Sequence, residues 1–398
     1  HLEALEACGW LVQADSLKDN VVAPVVRDGR WLRWRRWHQE LHRCTSTLLA
    51  RGQAKLEPAT SAIELRQALQ KAAAAGLDPQ QAGAVEALLQ HRLVLLTGGP
   101  GTGKTSTVVQ MLAAALRLQP DLRLQLAAPT GKAAARLGAA VAAGSAALEP
   151  SLAQRLQDLP CGTLHRLLEA QGEGRFRRGP RLPLELDLLV VDETSMVDLP
   201  LMAALLAALP PQATLVLVGD AGQLPPVGPG AVLEELCHSA RLQQLGGAAV
   251  ELRTAYRNDG AIAQLAAQLR QQRGGDPLAP LRPALEALPP QANLHWLEAP
   301  AQRLPAAVLQ PLRLHQQRLA QLADDPASEP DALLRELEQL IALSPVRQGP
   351  WGVEALHRAL LGPLLQAPLA RWPLGTPVLN RQNRPEQGLA NGDIGLLI

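Results

Sequence analysis

The sequence predicts an α/β protein: a domain built on a parallel sheet with a glycine-rich loop, a small N-terminal domain, and a second domain that is begun and not finished. Three observations predict it. The apolar run Leu93-Val94-Leu95-Leu96 ends in Thr97-Gly98-Gly99-Pro100-Gly101-Thr102-Gly103-Lys104-Thr105. A second run, Leu188-Leu189-Val190-Val191, ends in Asp192-Glu193, and a third, Leu215-Val216-Leu217-Val218, ends in Gly219-Asp220. Short continuous apolar runs are the pattern of strands covered on both faces, and helix-patterned stretches between them supply parallel crossovers.

Length and composition fit several ordinary domains. The 398 residues are 47% hydrophobic and 19% charged, with no apolar run long enough to cross a bilayer. The first residue is His1, which reads as a trimmed chain or fragment, and no secretory signal pattern is visible. Cys8, Cys44, Cys161 and Cys237 are scattered without metal spacing, so they are expected to be small core residues in a reducing cytoplasm. Net charge is +1, which by itself announces no nucleic-acid binder. Arginine supplies nearly all the positive charge. The few lysines kept inside motifs, Lys104 and Lys132, therefore carry extra weight.

In chain order, Val21-Val22-Ala23-Pro24-Val25-Val26 and Trp31-Leu32-Arg33-Trp34 read as short strands around the turn 27–30, followed by a helix carrying Leu41, Leu48 and Leu49. Trp31, Trp34 and Trp37 interleave with Arg30, Arg33, Arg35 and Arg36. That mixture suits a nucleic acid, a protein partner, or a local core with a solvated rim. Asp78 and Pro79 predict a helix N-terminus. Gln81, one turn in, offers both a donor and an acceptor, as reading an adenine edge requires.

The Gly98–Thr105 stretch is P-loop grammar: a glycine, four residues, then Gly103-Lys104-Thr105. Glycines let successive N–H groups converge on a phosphate, and the following helix, with Ser106 in its first turn, adds the positive end of its dipole. Gly98, Gly99, Pro100, Gly101, Thr102 and Gly103 would form the cradle. Lys104 would reach the β/γ-phosphates and the Thr105 hydroxyl would sit on Mg²⁺. The bland alternative is a plain glycine turn.

A strand at 122–128 leads into Pro129-Thr130-Gly131-Lys132, where Thr130, the Gly131 backbone and Lys132 could hold a nucleic-acid backbone. Thr163 is expected to cap a helix bearing His165 and Arg166. The basic stretch 175–181 reads either as a DNA contact or as a solvated loop. Asp192 at its strand tip would hold Mg²⁺, and Glu193 would act as general base on the attacking water. Gln223 lies on a loop at the same sheet edge, within reach of a γ-phosphate. Arg257 is a candidate arginine finger. Residues 271–335 read as a linker with amphipathic helices, 340–347 as a strand of a second sheet, and 353–361 as a helix. The end, 376–395, reads as strands joined by turns, with Asn391-Gly392 as a turn signal.

The order of these motifs resembles superfamily 1 DNA helicases and, within them, the RecD family, the α-subunit of exodeoxyribonuclease V. The resemblance implies an ATP-driven motor moving 5′→3′ on single-stranded DNA through two RecA-like domains, acting on DNA ends beside RecB- and RecC-like subunits. It implies that Lys104 and Thr105 bind ATP and Mg²⁺, that Asp192 and Glu193 are the Walker B pair, and that Gln223 and Arg257 couple to the γ-phosphate. Pro129, Thr130, Lys132 and His165 would lie along the DNA. The expected domains are a partner-docking piece over 1–60, an ATP-binding domain over 61–250, and a linker with a partial second domain over 251–398. The family's later DNA-binding element and second catalytic arginine are absent from these 398 residues. They are expected beyond Ile398; without them the chain should bind ATP, hydrolyse it poorly and not unwind DNA. A stand-alone RecD-like helicase and an idle nucleotide-binding scaffold are the rival readings.

Overall fold

The computed structural model describes residues 1–16, 22–29, 31–56, 66–71, 76–172, 174–254, 261–271, 276, 278–289, 292, 294–381, 387, 389 and 392–398. They divide into two compact units, His1–Asp259 and Gly260–Ile398.

The first unit opens with helix α1 (Leu2–Ala7) and strands β1 (Leu11–Gln13), β2 (Val25–Asp28) and β3 (Trp31–Trp34). β2 and β3 form an antiparallel pair, but β2 starts later than the expected 21–26 strand and takes in Arg27 and Asp28 of the expected turn; β1 adds a parallel neighbour. Helix α2 (Arg35–Gln53) follows. Then come α3 (Pro79–Gln90), β4 (Leu93–Gly98), α4 (Lys104–Leu118), β5 (Leu124–Ala128), α5 (Gly131–Ser145), α6 (Pro150–Gln157), β6 (Cys161–Thr163) and α7 (Leu164–Leu167). The unit closes with β7 (Leu188–Val191), α8 (Leu199–Ala208), β8 (Thr214–Gly219), α9 (Val232–Leu236), α10 (Ser239–Leu245) and β9 (Ala249–Leu252).

Strands β4 to β9 form one parallel sheet in the order β6-β5-β7-β8-β4-β9. A parallel sheet with the glycine-rich loop at the end of β4 is consistent with a RecA-like P-loop domain. Its apolar runs are continuous because both faces are covered. Leu93 and Leu95 of β4 enter one core with Leu189, Leu215 and Leu217, while Val94 and Leu96 enter the other with Val190, Val216 and Val218. The second face is closed by α3, α4 and α5, through residues such as Val85, Leu112 and Leu137.

The first face is closed by α8, α9 and, from the N-terminal stretch, by α2, whose Leu41, Cys44, Leu48 and Leu49 belong to the same core. Arg51 fastens that helix: its guanidinium donates to the Pro210 and Ala213 carbonyls at 2.8 Å each. Of the four free cysteines, Cys44 is the core residue expected, its thiol pushed up to about 11 by burial. Cys8 is exposed, against expectation, because α1 buries no residue.

β4 lies between β8 and β9, while its own crossover leads past β8 and β7 to β5. Strand order therefore reverses beside β4, the position at which open α/β sheets bind ligands at the carboxyl ends of their strands.

The second unit holds helices α11 (Ala261–Gln271), α12 (Arg282–Glu286), α13 (Ala306–Asp324), α14 (Pro330–Leu337) and α15 (Val353–Leu361). An antiparallel pair, β10 (Pro377–Leu379) and β11 (Ile394–Leu396), completes it. Helix α15 has the predicted bounds. The strand expected over 340–347 is not one. Ile341 and Leu343 are exposed, Pro345 has no N–H to give a ladder, and the Ser344 hydroxyl bonds the carbonyls of Val346 and Trp351 in a local turn. Among the described residues no helix is long and apolar enough to cross a membrane.

Candidate functional site

The glycine-rich loop leaves β4 and turns directly into α4. Gly101 and Gly103 take left-handed φ of 75° and 81°, which L side chains resist, so glycine there is a backbone requirement. Thr102 is buried and its hydroxyl donates to the Gly99 carbonyl at 2.8 Å, pinning the loop to itself. Lys104 curls back over the loop, its Nζ 2.7 Å from the Gly98 carbonyl and 2.9 Å from that of Gly99. Helix α4 begins with no side-chain cap and no acidic residue in its first turn. The Ser106 and Thr107 hydroxyls turn inward to the Gly103 carbonyl instead. A 15-residue helix thus turns a terminus without a side-chain cap, and its positive dipole end, toward the carboxyl ends of the strands, the arrangement a phosphate fits.

Strand β7 delivers the acidic pair two strands away, with β8 between. The Glu193 N–H donates to Asp192 Oδ1 at 2.8 Å, and Glu193 sits at φ 49°, a left-handed conformation costly for a residue with a Cβ. Burial raises the Asp192 carboxyl above the ordinary range, against the pull of the Glu193 N–H and the charges of Lys104 and Arg136. Burial likewise raises Glu193, helped by its Asp192 neighbour and opposed by the same two cations. A lysine whose field reaches both acids places P-loop and acidic turn in one electrostatic site.

From the end of β8, between them, comes the third element. Asp220 is buried and its Oδ1 accepts the Gly222 N–H at 2.9 Å, shaping the turn that carries Gln223. The Ser195 hydroxyl donates to Gln223 Oε1 at 3.3 Å, linking the acidic turn to this loop.

Gln81 is buried in the cap of α3, its Oε1 accepting the Asp78 N–H at 3.1 Å. Its neighbour Gln80 accepts the Arg253 N–H at 2.8 Å, one residue past the Gly98–Leu252 pairing, so this helix start lies beside the P-loop. On the other side of the sheet, Ala128 pairs with Thr163, which brings the ends of β5 and β6 together. Pro129 and Thr130 leave β5, Thr130 capping α5 through the Ala133 N–H, and Lys132 is exposed on that helix's first turn. His165 is exposed on α7, its ring 5.9 Å from Phe176. Arg257 lies outside the described residues, as does Asn391.

The AAA domain family matches residues 81–229, the stretch just described. The "RecBCD enzyme subunit RecD" of Mycobacterium tuberculosis is 41% identical over 332 residues, covering 81% of this chain and 56% of that protein. The protein of the same name from Haemophilus influenzae is 30% identical over 367 residues, covering 79% of this chain and 57% of its own length. Over about four-fifths of its length the chain is similar to these RecD proteins. An "ATP-dependent RecD2 DNA helicase" from Deinococcus radiodurans is 43% identical over 173 residues, 44% of this chain and 22% of that protein. The chain spans about half the length of the RecD relatives it matches.

The AAA domain match implies nucleotide binding in general. Sequence reasoning had not given roles to Arg136, Asp220 or Ser195. Arg136 was visible only as one arginine of a helix, and its field at the acids depends on how α5 packs. Asp220 stood at the end of an apolar run, the same signal that marked Asp192. Nothing in the sequence signalled the Ser195–Gln223 bond.

Proposed function

We propose that the chain is the ATP-dependent motor part of a DNA helicase, moving 5′→3′ on single-stranded DNA within a cytoplasmic RecBCD-type complex. The observation that carries it is one sheet edge: β4 ends in a loop with left-handed Gly101 and Gly103 and a helix without a side-chain cap, and β7, two strands away, leads into Asp192 and Glu193.

The geometry fits ATP with Mg²⁺. Thr105 on α4 and the buried, desolvated Asp192 would hold the ion, which takes few protein ligands when substrate phosphates and water complete its shell. Mg²⁺, when bound, supplies neutralisation of phosphate charge. Backbone N–H groups over 101–105 bind the phosphates, and Lys104 exchanges its carbonyl partners for phosphate oxygens. Glu193, its carboxyl already raised, takes the proton of the attacking water. Gln223 donates to the γ-phosphate, Arg257 places a cation on the charge that builds there, and Gln81 reads the base. Pro129, Thr130, Lys132 and His165, gathered at the ends of β5 and β6, form the DNA track. The second unit supplies the start of a second RecA-like domain.

Exposed Trp10, Trp31 and Trp34, with Arg33 stacked 6.0 Å from the Trp31 ring, form the face for RecB- or RecC-like partners, since tryptophan and arginine are favoured interface anchors. The proposal concerns the motor and assigns no DNA cleavage to this chain. In the intact protein, single-stranded DNA should stimulate ATP hydrolysis and Lys104→Gln should abolish it. Hydrolysis indifferent to both would leave a scaffold subunit in its place.

A further inference from the structure

Gln223 rests on an exposed loop, whereas Ser195 is fixed. Residues 221–224 are all exposed, and the loop is held through the Gln223 N–H to the Asp220 carbonyl at 3.1 Å and the Gly222 N–H to Asp220 Oδ1. Neither bond restrains the glutamine side chain. Ser195, 6% exposed, stands on the short turn Thr194–Met196, where the Thr194 hydroxyl grips the Val191 carbonyl at 3.1 Å and the Met196 N–H that of Glu193 at 3.0 Å. Among the described residues, Ser195 is the one that hydrogen-bonds the Gln223 side chain. Ser195, Asp220 and Gln223 line one recess together with Leu233 and Glu234, and Gln223 is exposed, so the amide has room to turn.

We propose that Ser195 is a positioning residue that sets which end of the Gln223 amide is offered to the nucleotide. The inference rests on the ATPase reading above. An amide has an oxygen that accepts and a nitrogen that donates, and a phosphate only accepts. By donating to Oε1, Ser195 occupies the oxygen and leaves the NH₂ group as the free end. The wrong rotamer would set a carbonyl oxygen against phosphate oxygens. The same bond ties Gln223 to the turn that carries Glu193, so phosphate sensor and general base move as one piece.

The test is a double-mutant cycle on DNA-stimulated ATP hydrolysis by the intact protein, with Ser195→Ala, Gln223→Ala and the pair, and Lys104→Gln as reference. One lost orienting hydrogen bond predicts a roughly three- to tenfold lower kcat for Ser195→Ala, with KM for ATP changed less than about twofold. On the Gln223→Ala background, Ser195→Ala should do nothing further. In the nucleotide-free protein, amide hydrogen exchange should rise over 221–224 in Ser195→Ala and stay unchanged over 98–105, which also reports that the variant folds. Effects that multiply, a loss confined to KM, or unchanged exchange over 221–224 would overturn the proposal while leaving the ATPase reading intact. Full hydrolysis in Lys104→Gln would take both down.

Discussion

Two turns at the same sheet edge solve opposite electrostatic problems. The one after β4 must surround an anion; the one after β7 must be an anion. Both bend the chain through left-handed backbone. In the first turn the left-handed positions are Gly101 and Gly103, where the conformation is free. In the second it is Glu193, where it costs about 1–2 kcal/mol. The strain persists because β7 on one side and the Thr194 hydroxyl on the other over-determine the turn. A loop that binds charge can be made of residues without side chains. A loop that carries charge cannot, and it bears the strain at the residue doing the chemistry.

The largest effect should come from the first turn's only charged group. Lys104→Gln should reduce ATP hydrolysis roughly a hundred- to thousandfold, as when a transition-state donor is removed from a dry site. A steady-state ATPase assay checks it, and a loss under tenfold would mean the lysine merely closes its own loop. Next, Gly103→Ala should cost about 1–2 kcal/mol locally and weaken nucleotide binding with it. Fluorescent-nucleotide titration beside a thermal melt reads both.

The acidic turn gives a pH signature. Burial holds Asp192 and Glu193 above their ordinary values, so the folded state keeps protons that the unfolded chain has released. Their contribution to stability is fullest below the ordinary carboxylate range and is lost as pH rises through the raised values. Glu149, Glu169 and Asp187 are held low by arginine partners and act in the opposite sense, equally in parent and variant. Melts of the ligand-free parent and of Asp192→Asn should therefore separate as pH rises through that window, the variant gaining relative to the parent. Parallel curves would contradict the burial argument. The smallest effect on stability is that of Glu193→Gly, which relieves the strain but loosens the unfolded chain by about 0.4–1 kcal/mol. Its Tm should stay level or rise slightly although hydrolysis is gone. A clear fall in Tm would show that the Glu193 side chain stabilises the fold.

The first turn was legible in the sequence and the second only in part. Glycine spacing reports a backbone need directly, so the loop and the helix after it (starting at Lys104 and not at Ser106) could be read off, as could the Asp78 cap with Pro79 behind it. The strand bearing Asp192 was legible because an apolar run covered on both faces has no alternation to confuse it. The left-handed Glu193 was not, since nothing in the letters Asp-Glu-Thr marks positive φ. Nor was the Ser195–Gln223 bond, which joins residues 28 apart. Residues 340–347 misled for a related reason. Leu340, Ile341 and Leu343 have strand composition, but Ser344 and Pro345 impose a turn that composition does not weigh. The N-terminal helix read correctly as a helix, while its membership in the sheet's own core depends on packing partners over 100 residues away.

The most direct measurement is an experimental structure of the protein with Mg²⁺ and a non-hydrolysable ATP analogue. Triphosphate should lie over the 101–105 backbone, with Lys104 Nζ released from the Gly98 and Gly99 carbonyls onto phosphate oxygen and the metal between Thr105 and Asp192. A Lys104 still bonded to its own loop, with the nucleotide bound elsewhere or not at all, would contradict it.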